Sequence, residues 1–283
     1  MSFAFIDSHA HFWDLRRLDY PWLAEASSIA TAHTPLELRA DVGDNVPEKI
    51  VFVQAECDRR RWLDEVEWVE TLAVAEPRIG GIVAYAPMNA GATTTKVIAQ
   101  LQDRPLMRGV RHLIQGEADP EFCTREIYVA GVRRLGEAGL TFDICCRHPQ
   151  LPAVIELVRR CPGTTFILDH GGKPGIHARL MDPWRGQIET LATLPNVECK
   201  LSGLVTEADP VGWRIEDLRP FAAHLLAHFG PSRLLFGSDW PVVKLAGGYA
   251  RWLAAARQLV SHLSGAEQRA IFSDNARRIY RLA

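Results

Sequence analysis

Short runs of apolar, mostly β-branched residues recur along the chain at intervals that suit alternating strands and helices. Each run is nearly continuous in apolar residues, which is typical of parallel strands buried on both faces. We therefore predict eight strands, at Phe3–Asp7, Ile50–Gln54, Ile79–Tyr85, Met107–His112, Thr141–Cys146, Thr165–Asp169, Val197–Ser202 and Leu234–Ser238.

The segments between these runs carry apolar residues at helical spacing. Within Arg61–Ala75, four apolar residues follow one another at intervals of four, three and four, as one buried helix face requires. Gly139 and Gly163 stand where a helix end with positive φ is expected. Similar patterns predict further helices at Arg125–Ala138, Pro152–Arg160, Trp213–Phe229, Tyr249–Leu263 and Ala266–Leu282.

Eight alternations of strand and helix predict an α/β fold, a single (β/α)8 TIM-like barrel over residues 1–283. No Gly/Ser-rich linker marks a second domain. The alternative is a doubly wound open sheet, but the turn after the first strand lacks the G-x-G-x-x-G loop of a dinucleotide site. The long insert Leu15–Pro47 is expected to cover the mouth of the active site.

The composition excludes several classes of protein. With 47% hydrophobic and 23% charged residues, the chain has an ordinary globular composition. A net charge of −2 gives no reason to expect nucleic acid or an anionic membrane as a partner. No apolar run approaches the roughly 20 residues that span a bilayer.

The cysteines and the first residues favour a cytoplasmic protein. No basic segment followed by an apolar one opens the chain, so we expect no signal peptide. None of the six cysteines forms a C-x-x-C pair, and several lie in strand-like runs, where cysteine usually packs as a small apolar residue. Adjacent Cys145 and Cys146 would point to opposite faces of a strand.

Two histidines one residue apart close the first apolar run. Residues two apart in a strand face the same way, so His9 and His11 would project side by side. Paired imidazoles suit a divalent metal or the polarisation of an ester carbonyl. The alternative is that they are two polar residues at a strand end.

The active sites of such barrels lie at the carboxyl ends of the strands. His9, His11, His170 and Asp239 all fall at predicted strand ends, which indicates a shared functional site. Glu56 is interpreted equally well as a metal ligand or as an orienting group. Other polar residues at strand ends have ordinary explanations as ion pairs, loop anchors or surface groups: Arg108, Arg111, His112, His148 and Asp169. Arg147 and Lys200 also fall at predicted strand ends.

Three segments resemble motifs of the amidohydrolase superfamily: Asp7-Ser8-His9-Ala10-His11, Asp169-His170-Gly171-Gly172-Lys173-Pro174 and Gly237-Ser238-Asp239-Trp240-Pro241. The most similar branch is the amidohydrolase-2 group of sugar-lactone hydrolases, of the L-fuconolactonase and L-rhamnonolactonase type. Further segments resemble that branch, namely Phe12-Trp13-Asp14, Tyr20-Pro21-Trp22-Leu23 and Lys200-Leu201-Ser202-Gly203-Leu204. The resemblance covers nearly the whole chain in the expected order.

This resemblance implies a distorted (β/α)8 barrel that hydrolyses a carboxylic ester, usually a lactone. It makes His9, His11 and His170 metal-binding or carbonyl-polarising residues, and Asp239 the general base that takes a proton from water. Binuclear members carry a histidine on strand five and a bridging lysine or glutamate on strand four, where this chain has arginines. The resemblance therefore implies at most one divalent metal, zinc foremost, and leaves open whether activity requires it.

We therefore predict a lactonase that opens an aldonolactone with a water activated by Asp239. The metal ligands would come from His9, His11, Glu56, His170 and Asp239. Lysine and arginine side chains would bind substrate oxygens and tryptophans would wall the pocket, although core packing explains each tryptophan equally well. These residues are Arg108, Arg111, Arg147, Lys200, Trp13, Trp22 and Trp240.

Three other functions stay open at this stage. One is a metal-dependent decarboxylase of an aromatic or enoic acid, and another is a hydrolase of a dicarboxylate lactone. The third is a sugar-acid binding protein without catalysis. The expected partner is a small-molecule lactone. The sequence is compatible with a homodimer but does not determine the oligomeric state.

Overall fold

Eight parallel strands form one sheet, and each strand pairs with the next along the chain. The computed structural model of the protein describes residues 4–283. The sheet closes because the Asp239 N–H donates to the His9 carbonyl at 2.8 Å and Ala10 bridges to Trp240. The predicted (β/α)8 barrel is therefore confirmed. Its strands are β1 Ile6–Ala10, β2 Lys49–Val53, β3 Ile79–Ala84, β4 Met107–Arg111, β5 Thr141–Ile144, β6 Phe166–Leu168, β7 Val197–Leu201 and β8 Leu234–Phe236.

Helices surround the barrel and follow the strands along the chain. Their bounds are α1 Pro35–Val42, α2 Trp62–Ala75, α3 Ala92–Gln102, α4 Glu126–Glu137, α5 Leu151–Arg160, α6 Trp184–Ala192, α7 Ile215–Phe229, α8 Tyr249–Leu259, α9 Gly265–Arg269 and α10 Asn275–Ile279. The predicted helix Ala266–Leu282 is broken, because a π-helical turn at Ala270–Asp274 separates α9 from α10. Within the described residues, no helix is both long enough and apolar enough to cross a membrane.

Strand β1 lies further along the chain than the sequence pattern predicts. The expected run Phe3–Asp7 begins at a residue outside the described part, and the observed strand is Ile6–Ala10. The apolar pattern places this strand too early in the chain, because the polar residues inside the observed strand have buried hydrogen-bond partners. Asp7 accepts a hydrogen bond from the Ser238 N–H at 2.8 Å. His9 therefore lies inside the strand, and His11 follows directly after it.

Three helices have no counterpart among the sequence predictions. Helix α1 lies in the insert and starts at a capping box. The Thr34 side chain accepts a hydrogen bond from the backbone of the first turn, and the Glu37 side chain accepts one from the Thr34 backbone N–H. Helices α3 and α6 present four buried residues each. Gly139 has φ +71° as expected, whereas Gly163 is not among the described residues with positive φ.

The interior of the barrel is divided along its axis into an apolar and a polar layer. Alternate strand residues such as Val51, Val83 and Ile167 pack with Tyr280 and Leu282 from the end of the chain. This apolar layer closes the amino-terminal end of the barrel. The polar layer lies towards the carboxyl ends of the strands, where the motif residues are found.

The insert after β1 folds over the carboxyl ends of the strands. It consists of two 3-10 turns, Pro21–Glu25 and Ser27–Ile29, followed by α1. Its buried aromatic and aliphatic residues form a cluster of their own, which fixes the insert on the barrel. Trp22 reaches from this insert into the cavity described below, so the predicted position of the insert is confirmed.

Candidate active site

A cavity of about 520 Å³ opens at the carboxyl ends of the strands. Four polar residues at its base come from the ends of different strands, which is the usual arrangement in barrel enzymes. They are His11, Arg111, His170 and Asp239. The walls include side chains from the insert and from the loops after β2, β4, β5 and β6: Trp22, Glu25, Glu56, Arg59, Gln115, Arg147 and Lys173.

One carboxylate oxygen lies among three imidazoles. Oδ1 of Asp239 is 3.3 Å from Nε2 of His11, 3.7 Å from Nε2 of His9 and 3.8 Å from Nε2 of His170. The two strand-one histidines also touch each other, with their Nε2 atoms 3.2 Å apart. The structure thus brings together the four residues that the sequence groups into one site.

The backbone holds several cavity residues in an unusual conformation. Glu56, His170, Lys173 and Asp239 have φ between +48° and +60°, and they are four of the six described non-glycine residues with positive φ. Such conformations cost energy and cluster at functional sites. Gly203 leaves room for the His170 side chain, because a Cβ at this position would lie 2.4 Å from Nδ1 of His170. That Nδ1 instead lies 2.8 Å from the Ser202 hydroxyl.

A charged layer supports this cluster from below. The ammonium of Lys200 lies 3.0 Å from Nδ1 of His9, 2.6 Å from Asp143 and 3.0 Å from Asp169. All four of these side chains are buried. Arg111 adds a second cation, with its guanidinium 3.3 Å from Asp169 and 3.3 Å from Nε2 of His9.

The surroundings decide which of these groups are charged. Burial, with Lys200 close by, lowers the pKa of His9 well below its usual range, and burial lowers the pKa of His170 to about 4. Burial raises the pKa of Asp239, but the nearby His170 and the contact with His11 outweigh it, so this pKa falls below its usual range. At neutral pH the site therefore presents neutral imidazoles at His9 and His170 and an ionised Asp239.

The donors fit one divalent cation. Ligand atoms of His9, His11 and Asp239 all lie within 4.8 Å of one another, and imidazole with carboxylate is a common zinc ligand set. A second group, His9 with Asp169 and His170, shares a histidine with the first. The cations beside His9 oppose a second ion there by charge repulsion.

Several predicted site residues line the cavity as expected. Arg111, Arg147 and Trp22 do so, and the indole N–H of Trp22 is fixed by donating to the Ala55 carbonyl at 2.8 Å. Glu56 also lines the cavity, but it lies outside the groups whose atoms are close enough to share a metal. Its carboxylate instead accepts from the Gln54 side chain at 2.8 Å.

The prediction that Arg108 binds substrate is wrong. Arg108 is the second residue of β4, and its guanidinium donates to the carbonyls of Pro105 and Met107 at 2.7 and 2.9 Å. A Cβ at Gly81 would touch both Arg108 and Leu282, which places the side chain at the amino-terminal end of the barrel. Its position at the start of the strand, rather than the end, explains the error.

Three further predicted substrate contacts do not line the cavity. Trp13 and Trp240 are fully buried, and their indole N–H groups donate to the Thr31 carbonyl and the Asp41 carboxylate of the insert. For both, core packing is the correct alternative. Lys200 lies beneath the histidines among its acidic partners rather than facing a substrate.

The structure adds three residues that the sequence analysis did not place in the site. Asp169 is not a loop anchor, because it lies 3.3 Å from Nδ1 of His9. Asp143 was hidden in an apolar strand run, where a lone carboxylate is itself a signal of a buried polar network. Lys173 belongs to one of the motifs in the sequence, but the sequence does not show in which direction its side chain points.

Comparisons with known proteins agree with this geometry. A family model described as "Amidohydrolase" matches residues 6–282. An L-fucono-1,5-lactonase from Burkholderia multivorans is 37% identical over 98% of this chain and 96% of its own. Another from Burkholderia ambifaria is 30% identical over 98% of this chain and 95% of its own. The crystal structure of an amidohydrolase from Burkholderia multivorans with bound Zn has a TM-score of 0.88 at 36% identity, covering 99% of this chain and 100% of that one.

Proposed function

Because the chain belongs to the amidohydrolase family and acts as a lactonase, we propose that it opens a sugar lactone to the sugar acid, with Asp239 as the base that activates water. The observation that carries this mechanism is the position of Asp239, whose Oδ1 lies 3.3 to 3.8 Å from three imidazole nitrogens at the base of the cavity. The relatives named as L-fucono-1,5-lactonases support a sugar lactone as substrate.

The reaction needs an activated water and a place for negative charge on the carbonyl oxygen. Ionised Asp239 accepts a proton as water attacks the carbonyl carbon. The imidazoles of His11 and His170 line the cavity beside this carboxylate and orient the water by hydrogen bonding. When the tetrahedral intermediate collapses, Asp239 returns the proton to the departing ring oxygen.

A divalent cation would be held by His9, His11 and Asp239, where it would polarise the lactone carbonyl as a Lewis acid. The zinc in the related amidohydrolase supports such a cation. We propose zinc as its identity because imidazole and carboxylate donors suit that ion.

The charges around the cavity favour a neutral, polyhydroxylated ring over a dianionic one. The guanidinium of Arg111 already has partners within the protein, since it donates to the Gln54 carbonyl at 2.5 Å and pairs with Asp169. Arg59 pairs with Glu117 at 3.4 Å. Arg147 and Lys173 also line the cavity, but Glu25 and Glu56 add negative charge to its walls, which disfavours a second carboxylate on the substrate.

A side-by-side kinetic comparison tests the proposal. Proton release from L-fucono-1,5-lactone and from 2-pyrone-4,6-dicarboxylate is followed with a pH indicator at one pH. We expect kcat/KM for the sugar lactone to be at least about tenfold higher, which corresponds to ~1.4 kcal/mol in transition-state binding. Protein carrying Asp239→Asn provides the baseline for spontaneous ring opening. A preference for the dicarboxylate would overturn the sugar-lactone assignment.

A further inference from the structure

Lys173 stands apart from the other cations of the cavity. Its side chain is 18% exposed and lines the cavity with His170 and Asp239. Among the described residues, one carboxylate oxygen lies within 4.0 Å of its ammonium, namely Oε1 of Glu207 at 3.8 Å. That separation is too long for a hydrogen bond. Three strong donors thus face the cavity with little to satisfy them.

The other cations near the cavity have their charge satisfied elsewhere. Arg111 is held by a carbonyl and a carboxylate beneath the cavity floor, and Arg59 pairs with Glu117. Arg147 is exposed at the rim, where water screens its charge. Lys173 is therefore the cation that combines partial burial, access to the cavity and free donors.

The backbone at Lys173 also indicates a functional constraint. Lys173 has φ +48°, a left-handed conformation that a lysine adopts at a cost. Its N–H donates to the His170 carbonyl at 3.0 Å, which links the lysine to the histidine that faces Asp239. The chain thus accepts backbone strain at a position that directs an ammonium into the cavity.

We propose that Lys173 binds the carbonyl oxygen of the lactone as it becomes an oxyanion and then holds the carboxylate of the product. This inference rests on the proposed lactonase function and names the group that receives the negative charge. Water adds to the carbonyl carbon, its proton passes to Asp239, and the carbonyl electron pair moves to the oxygen that Lys173 contacts. Reformation of that C=O bond breaks the bond to the ring oxygen, which takes the proton from Asp239. The new carboxylic acid then releases its remaining proton to water and becomes the carboxylate that Lys173 holds.

The charge of Lys173 is maintained at neutral pH. Burial lowers the pKa of the ammonium, but Cys145, Glu207 and Asp239 raise it by more. A compact, permanently charged group with three donors suits a single oxyanion oxygen, whereas a planar guanidinium suits two oxygens at once. A variant with arginine at this position keeps the positive charge but not the matching shape, and it is therefore expected to retain part of the activity.

The first test measures catalysis by Lys173→Met and Lys173→Arg. Removal of one oxyanion donor typically lowers kcat by about 10²–10³. We expect such a loss in Lys173→Met with KM changed less than about threefold, and an intermediate kcat in Lys173→Arg. Lys49→Met is the matched control, because Lys49 lies at the amino-terminal end of β2 and donates to the Pro77 carbonyl. A kcat for Lys173→Met within threefold of wild type would overturn the proposal.

The second test measures binding of the product and does not depend on turnover. Calorimetric titration with L-fuconate is expected to show binding to wild type and to Lys49→Met, and at least tenfold weaker binding to Lys173→Met. Equal affinity of wild type and Lys173→Met, or no binding by wild type, would overturn the carboxylate role. If wild type binds L-fuconate but opens no lactone, the proposed function fails while the binding role of Lys173 stands.

Discussion

The ammonium of Lys200 lies 3.0 Å from Nδ1 of His9 inside the barrel, where neither side chain is exposed. The same ammonium pairs with Asp143 and Asp169, so one buried cation meets two buried carboxylates. Burial lowers the pKa of Lys200, but the two carboxylates raise it by more, and the lysine stays charged. This network of charged residues lies beneath the floor of the candidate site and supports it. The stability of the network depends on the presence of all its members.

Lys200→Met is therefore expected to destabilise the protein strongly. Removal of one partner from a buried ion pair leaves an uncompensated charge and typically costs about 3–5 kcal/mol. Urea unfolding followed by circular dichroism gives the free energy of unfolding. The control is Lys244→Met, because Lys244 pairs with Asp41 at a partly exposed site where an ion pair contributes at most ~1 kcal/mol. Equal losses in the two variants would contradict the role given to the network.

Asp239→Asn is expected to abolish most lactone hydrolysis while the fold is kept. An amide retains the shape of the side chain but cannot accept a proton from water, and loss of a general base typically lowers the rate by about 10²–10⁴. Initial rates on L-fucono-1,5-lactone measure the loss, and circular dichroism checks the fold. Near-normal kcat in this variant would remove Asp239 from the mechanism.

Metal analysis is expected to find at most one tightly bound divalent ion per chain in the cavity. The two buried ligand groups share His9, and Arg111 and Lys200 place positive charge beside both of its ring nitrogens. Inductively coupled plasma mass spectrometry of protein purified without chelator gives the stoichiometry.

A surface group of possible metal ligands has to be separated from the cavity in that measurement. Glu189, His224 and His228 have ligand atoms within 4.8 Å of one another between α6 and α7. The stoichiometry is therefore measured on His228→Gln as well as on wild type. Two equivalents retained by His228→Gln would show that the cavity holds a second ion.

Glu65→Gln is expected to change how stability depends on pH. Burial raises the pKa of Glu65 in the folded protein to about 8, against an ordinary value of 4.5. The folded state thus holds a proton that the unfolded chain loses as the pH rises above 4.5. The contribution of Glu65 to stability is complete below that pH and declines until the folded pKa is passed. The glutamine variant lacks this decline.

Urea unfolding of both proteins between pH 5 and 8 measures the effect. The free energy of unfolding of Glu65→Gln minus that of wild type should increase with pH across this range. Because the other titrating groups are common to both proteins, their contributions cancel in the difference. Glu67→Gln, which removes a 57% exposed carboxylate from the same helix, is the control. A difference that stays constant with pH would contradict the prediction.

The sequence predicts the barrel because its strands are buried on both faces. Such strands must be apolar along most of their length, so runs such as Ile50–Gln54 stand out from the amphipathic helices between them. The pattern is weakest where polar residues enter the barrel interior. This is why β1 is predicted at Phe3–Asp7 but observed at Ile6–Ala10, and why Asp143 was not recognised as part of a network.

The sequence also groups His9, His11, His170 and Asp239 into one site, since parallel strands in a barrel bring their carboxyl ends together. It does not determine which way a side chain points along the axis. Arg108 and Arg111 are three residues apart on β4, yet one donates to Pro105 at the amino-terminal end and the other lines the cavity. Apolar periodicity records burial and not direction, so the two arginines appeared equivalent.

What the sequence alone determined is the order of strands and helices and the chemical types present at the strand ends. Tertiary structure decided which charges neutralise one another and which remain free to meet a substrate. Lys200 and Lys173 are both lysines in motifs that follow or end a strand, but Lys200 lies between two carboxylates and Lys173 faces the cavity. Pairing is a property of distances between segments far apart along the chain, and only the closed barrel brings those segments within reach.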